Sequence, residues 1–313
     1  MDMQQSSRNR PALERPADFE DFWAGTLAEL ARVPAAVQVT DTRQPQPGLL
    51  LQRFSLRSLG GLRISAYLLS HADGQRRPVV VHSHGYGSRS SVQYGWAHEG
   101  LHVAGFDVRG CGDSAAPPRG LHPGGMVLTG LARPGGSILR GAVCDYLRLH
   151  DCARGLLGAA AGPSVFKGRS FSGALALMAA ALDPRPALLV AAVPTFGWIT
   201  GRRRMTLLGS GGELNRYLDR HPHREAALLA SLRYFDPMHF APGLRCPVVM
   251  GIGREDPVVP AVTVRAIAAH VATALEVHEL PCSHTRRPEE ALWDDFDAMW
   301  LRRAARIDAA VPA

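Results

Sequence analysis

The chain has 313 residues, 46% of them hydrophobic and 20% charged, which excludes a disordered or fibrous chain and leaves ample apolar mass for a core. Its net charge is +7, but all but one of its 35 basic residues are arginines, Lys167 being the single lysine. The densest basic cluster (Arg202, Arg203 and Arg204) has no interleaved aromatics, so an arginine-rich surface is the expected reading and no nucleic-acid partner is expected.

In chain order, the first dozen residues are polar, carry no apolar signal segment, and are expected to be disordered. Residues 17–33 repeat Phe19, Phe22, Trp23, Leu27 and Leu30 at helical spacing and end before Pro34. Two strand-like runs follow, 49–56 and 62–69, with Gly60 and Gly61 between them suggesting a hairpin. Short apolar runs then alternate with helical segments. The strands are expected at 78–82, 102–107, 164–168, 187–193, 247–252 and 275–280, and the helices at 139–157, 173–182, 262–271 and 289–306. That alternation predicts one α/β domain over 1–313, built on a mostly parallel sheet of eight strands with helices on both faces. Residues 197–235 read as a helical insertion, a candidate cap. The longest apolar region, 174–193, is broken by Asp183, Pro184, Arg185 and Pro186, so no membrane association is expected. The cysteines (Cys111, Cys144, Cys152, Cys246 and Cys282) include no C-x-x-C pair, which argues against a thiolate zinc site and for reduced thiols in the cytoplasm.

The sharpest chemical signal is Gly168-Arg-Ser-Phe-Ser-Gly173, where a strand runs directly into a helix. It is a weakened form of the G-x-S-x-G elbow that exposes a serine on a tight turn, with Ser170 as the nucleophile; the alternative is an ordinary turn with a serine cap. A serine needs a base, and His284 follows the last strand where a base is expected, whereas His270 and His278 read as structural. The acid expected after the preceding strand is Asp256, before Pro-Val-Val-Pro260, with Glu255 as its competitor. The order Ser, Asp, His is that of the α/β-hydrolase fold. Two backbone N–H groups are needed for the oxyanion: Phe171, after the nucleophile, and Tyr86, in the glycine-containing loop His82-Ser-His-Gly-Tyr-Gly87. His82 and His84 could instead form an H-x-H metal pair, but no partner motif accompanies them, so neither metal nor cofactor is expected. Arg109 admits an anion-binding reading and a structural one, the latter favoured. Cys282, two residues before His284, is a minor alternative nucleophile without an elbow.

Taken together, these residues resemble carbohydrate esterase family seven, the acetyl xylan esterases and cephalosporin C deacetylases. The resemblance lies in the opening helix from Arg15 to Trp23, His84-Gly-Tyr86, Arg109-Gly-Cys-Gly112 against R-G-Q-G, the elbow against G-x-S-Q-G-G, and Tyr234-Phe-Asp236 followed by Cys246-Pro-Val248. It implies a serine esterase that removes acetyl groups from small substrates such as sugars, with Ser170, Asp256 and His284 as the triad, Tyr86 and Phe171 as oxyanion donors, and assembly into hexamers. The departures are Phe171 for glutamine, Ser172 for glycine, Cys111 for glutamine, and Thr285, Arg286 and Arg287 after the histidine. Backbone roles tolerate such changes; substrate choice is where they would tell. The same fold also serves peptidases and other acyl hydrolases, and a binding protein that has lost its activity is the reading from outside enzymology. The alcohol portion of the substrate is not encoded in any motif.

Overall fold

The computed structural model describes residues 10–285 and 290–307. Their strands form one nine-stranded sheet in the order β1-β2-β3-β5-β4-β6-β7-β8-β9. The strands are β1 (Gln38–Gln46), β2 (Leu49–Arg57), β3 (Arg63–His71), β4 (Arg77–His82), β5 (His102–Phe106), β6 (Ala161–Arg169), β7 (Pro186–Ala192), β8 (Val248–Gly253) and β9 (Leu275–Leu280). The main helices are α1 (Phe19–Ala31), α2 (Tyr94–His98), α3 (Ile138–Leu157), α4 (Phe171–Leu182), α5 (Ile199–Arg202), α6 (Gly209–Arg220), α7 (Glu225–Leu232), α8 (Pro237–Phe240), α9 (Ala261–Ala268) and α10 (Glu290–Ala305).

β1, β2 and β3 are antiparallel neighbours, and β3 meets β5 antiparallel; from β5 to β9 every pairing is parallel. The reason lies in the residues. Val79, Val80 and Val81, Val165 and Phe166, and Val248 to Met250 are fully buried, which suits strands covered on both faces. Phe166 packs on Tyr146 of α3, while the next residue, Lys167, lies under Trp96 of α2 and Trp300 of α10. Because consecutive strand residues point to opposite faces, α3 covers one side and α2 with α10 the other. Gly251 has a packing reason: a Cβ there would stand 2.9 Å from the Trp293 ring of α10.

The eight expected strands are β2 to β9, and the Gly60–Gly61 turn does join an antiparallel pair. The ninth, β1, is an addition: eight of its nine residues are exposed, so no apolar alternation marks it, and Pro45 sits at its irregular end as an edge strand permits. The expected insertion resolves into α5, α6 and α7, between β7 and β8. Of the twelve residues expected to be disordered, 1–9 lie outside the described residues. Arg10 and Pro11 are placed, hydrogen-bonded to the two ring nitrogens of His270 just beyond α9. Since β4 and β6 to β9 run the same way, their C-terminal ends share one rim, where all the candidate residues fall.

Candidate active site

Ser170 lies between the last residue of β6 and the first of α4. Its backbone has φ 60 and ψ −118, a conformation that costs a non-glycine residue about 1–3 kcal/mol. The turn is forced by close approach. A Cβ on Gly168 would meet the Ser172 carbonyl oxygen at 2.1 Å, and one on Gly173 would meet that of Ala192 at 2.9 Å. Its main chain is tied on both sides: Ser170 N–H donates to Ala192 (2.9 Å), and the Ser170 carbonyl accepts from Ala174 (3.1 Å) and Thr195 (3.2 Å). The bond from Ala174 is the first of α4, so the amide of Phe171, in the helix's first turn, has no partner within it. The strain extends into the neighbouring strand end: Val193, Phe196 and Trp198 also have positive φ.

The acid and the imidazole meet directly. Nδ1 of His284 hydrogen-bonds Oδ2 of Asp256, which also accepts from the His284 amide at 3.0 Å. Oδ1 of Asp256 accepts from the amides of Val258 (2.9 Å) and Val259 (2.8 Å), so the Pro-Val-Val-Pro turn wraps the carboxylate. Burial alone would raise its pKa, but the hydrogen bonds and charge of His284 and these amides outweigh it and hold it below the ordinary aspartate value. With Nδ1 donating to the acid, Nε2 is the nitrogen left to accept a proton. Glu255, the competitor, is exposed. No hydrogen bond joins Ser170 Oγ to His284 among the described residues; such bonds often close only when substrate arrives.

Tyr86 occupies the loop after β4. Its ring packs edge-on against Phe171 (5.4 Å), which packs in turn against Phe196 (5.9 Å). Its hydroxyl donates to Oε2 of Glu213 (2.5 Å) and accepts from the Val127 amide (2.6 Å). His84 is spent on the same loop: Nε2 accepts from the Val108 amide (2.9 Å), so Nδ1 donates to the Gly85 carbonyl (2.7 Å). Nε2 of His82 contacts the Tyr67 hydroxyl at 2.6 Å, and burial, then the charge of Lys167, pushes its pKa down to about 3. The metal reading of this pair therefore has little to stand on, since both His84 nitrogens serve the backbone. Arg109 is structural: its Nε and Nη2 grip Asp145 at 2.8 and 2.6 Å inside the protein. All five cysteines are buried and none forms a disulfide, and Cys282 is fully enclosed, a poor position for a nucleophile.

Three roles escaped the sequence reading. Glu213, on α6, anchors the Tyr86 hydroxyl from within the insertion; no motif surrounds it. Ser172 is more than a small residue, because its Oγ accepts from the Ser83 amide (3.2 Å) and so ties the elbow to the Tyr86 loop. Asp236 caps α5, accepting from the amides of Trp198 (3.1 Å) and Ile199 (2.8 Å).

A nine-stranded mixed sheet, a strained serine between strand and helix, and a buried Asp–His pair on the same rim define a serine hydrolase of the α/β-hydrolase fold. The acetyl xylan esterase (AXE1) family model matches residues 1–283, so the chain belongs to that family and is an esterase acting on acetyl esters. The acetyl xylan esterase from Paenibacillus sp. R4 superposes with a TM-score of 0.83 at 26% identity, over 95% of this chain and 99% of that one. Acetyl xylan esterase 1 from Thermoanaerobacterium sp. JW/SL YS485 gives 0.82 at 21%, over 97% and 99%. An esterase from Pyrococcus furiosus, at 0.58 and 14% over 87% and 97%, shares the fold only. The family match stops one residue short of His284, so that residue's role rests on its bond to Asp256.

Proposed function

We propose that Ser170 is the nucleophile, His284 the base and Asp256 the acid of a two-step deacetylation. His284 Nε2 takes the Ser170 proton as Oγ attacks the acetyl carbonyl; it then returns that proton to the departing alcohol, leaving an acetyl-serine. Water, activated by the same imidazole, releases acetate and restores the serine. The amides of Tyr86 and Phe171 stabilise the oxyanion in both steps, and neither depends on its own side chain for that. The Asp256–His284 hydrogen bond carries this reading, because it fixes the imidazole tautomer the chemistry requires. The strain at Ser170 supports it against a scaffold that has lost its activity.

The substrates are small acetylated alcohols such as sugars. Phe171, fully buried between Tyr86 and Phe196, supports a short acyl pocket. The whole chain acts as one catalytic domain, with residues 197–235 as its cap: Glu213 reaches from α6 to the Tyr86 loop. The five buried thiols support a cytoplasmic setting, and no helix among the described residues is long and apolar enough to cross a membrane. By resemblance to the family the chain assembles into hexamers, which light scattering would check. A fluorophosphonate probe tests the central assignment: it should label the wild-type protein and not Ser170→Ala, and equal labelling of both would refute it.

A further inference from the structure

On the α2 and α10 side of the sheet, between the C-terminal ends of β4 and β6, lies a polar cavity of about 310 Å³. It has no part in the chemistry above, yet its walls adjoin it: Arg169 precedes Ser170, and Gly85 precedes Tyr86. At its base is Lys167, the chain's single lysine, with a side chain only 9% exposed.

Lys167 is a charged group with an incomplete set of partners. Its Nζ lies 4.4 Å from the centroid of Trp96 and 5.5 Å from that of Trp300, rings that attract a cation but accept no ordinary hydrogen bond. Its ion-pair partner, Asp297, is 3.7 Å away, beyond hydrogen-bonding distance. That carboxylate is already engaged, accepting at Oδ1 from Trp300 Nε1 (2.7 Å) and at Oδ2 from Arg169 Nη2 (2.9 Å). Two cations thus share one acid, leaving the pocket floor with an excess positive charge and an ammonium whose three donors lack an acceptor at bonding distance among the described residues. Arg109, by contrast, has a carboxylate of its own. Burial, opposed by Asp297, lowers the Lys167 pKa to about 8, so the group stays mostly charged at neutral pH. Ser88, Ser91 and Gln93 add polar groups to the cavity wall.

We propose that this cavity is an alcohol-side subsite in which Lys167 and Arg169 hold a carboxylate, so that the enzyme prefers acetyl esters whose alcohol portion is acidic. Three residues of extended strand put Lys167 about 10 Å from Ser170, a span that the ring of a small hydroxy acid bridges. The proposal rests on Ser170 being the nucleophile, and the test separates the two claims.

The kinetic arm compares 4-acetoxybenzoate with the neutral 4-acetoxybenzamide. The ratio of their kcat/KM values should exceed that of Lys167→Met by about tenfold or more, the scale of one charge-assisted hydrogen bond. Lys167→Met should retain turnover of the amide, and Lys167→Arg should keep most of the preference. The binding arm titrates 4-hydroxybenzoate into Ser170→Ala by calorimetry; binding should be seen there and lost when Lys167→Met is added. If Ser170→Ala cleaves both esters as fast as wild type while 4-hydroxybenzoate binds through Lys167, the nucleophile assignment falls and the anion subsite stands. An ester preference identical in wild type and Lys167→Met, or binding indifferent to Lys167, overturns the subsite.

Discussion

Asp145 and Asp256 are both aspartates with fully buried side chains, and they do different work. Asp145 sits in α3 and is held by two hydrogen bonds from Arg109, itself only 9% exposed. Burial alone would favour the neutral arginine, but the Asp145 charge outweighs it and raises the Arg109 pKa, so the guanidinium keeps its charge. Room for it is built in, since a Cβ on Gly141 would stand 1.9 Å from the guanidinium. Asp256 instead faces an imidazole, which can gain and lose a proton, and lies beside the rim that carries the strained Ser170. A titratable partner alone does not mark chemistry, since buried Asp183 also bonds an imidazole, that of His150, at 2.8 Å; what sets Asp256 apart is an imidazole on the rim that carries Ser170.

The comparison breaks most sharply through activity. Ser170→Ala should lower turnover by about three to six orders of magnitude with the fold retained, as triad deletions do elsewhere. Asp256→Asn should also cut turnover by orders of magnitude, while Glu255→Gln changes it little; steady-state assays with a chromogenic acetate ester rank the three. The reverse order for the two acidic residues would move the acid by one position.

Arg109→Met should act on stability instead. It leaves the Asp145 charge buried and unpaired, at a cost of about 3–5 kcal/mol, read as a fall in denaturation midpoint. Turnover per folded molecule should stay close to wild type. Arg109→Met with normal stability but no activity would show that Arg109 belongs with the chemistry after all.

Glu213→Gln gives a smaller effect. The charge-assisted bond to the Tyr86 hydroxyl weakens, the loop carrying the Tyr86 amide loosens, and kcat should fall several-fold, by analogy with the loss of about 1–2 kcal/mol of hydrogen bonding. Smallest of all is a pH effect on stability. The Asp256 pKa is depressed in the folded protein, so its contribution is complete above the unfolded value of about 3.9 and disappears as pH falls through the lower folded one. Melting curves of wild type and Asp256→Asn should therefore converge as the pH is lowered below about 4. A constant gap across that range would mean that the acid is not stabilised as described.

Much of this was legible in the residues alone. The strands β2 to β9 announce themselves through short apolar runs, such as Val79–Val81 in β4 and Val248–Met250 in β8, and Ser170, Asp256 and His284 stand after β6, β8 and β9. β1 was not legible, because a polar edge strand has no face to bury and so no pattern to display. Glu213 was hidden because its role depends on where α6 lands, a tertiary fact with no local motif. Lys167 was visible as the lone lysine, but its cage of Trp96, Trp300 and Asp297 comes from elements far apart in sequence. Arg109 offered two readings, and only the position of Asp145 separates them.

The most direct measurement traps the acyl-enzyme. The protein is mixed with a chromogenic acetate ester, quenched in acid during turnover, digested, and the peptides are mapped by mass. The acetyl group should be found on Ser170, and the adduct should vanish in Ser170→Ala. An adduct on Cys282, or full turnover by Ser170→Ala, would contradict the assignment of Ser170 as the nucleophile.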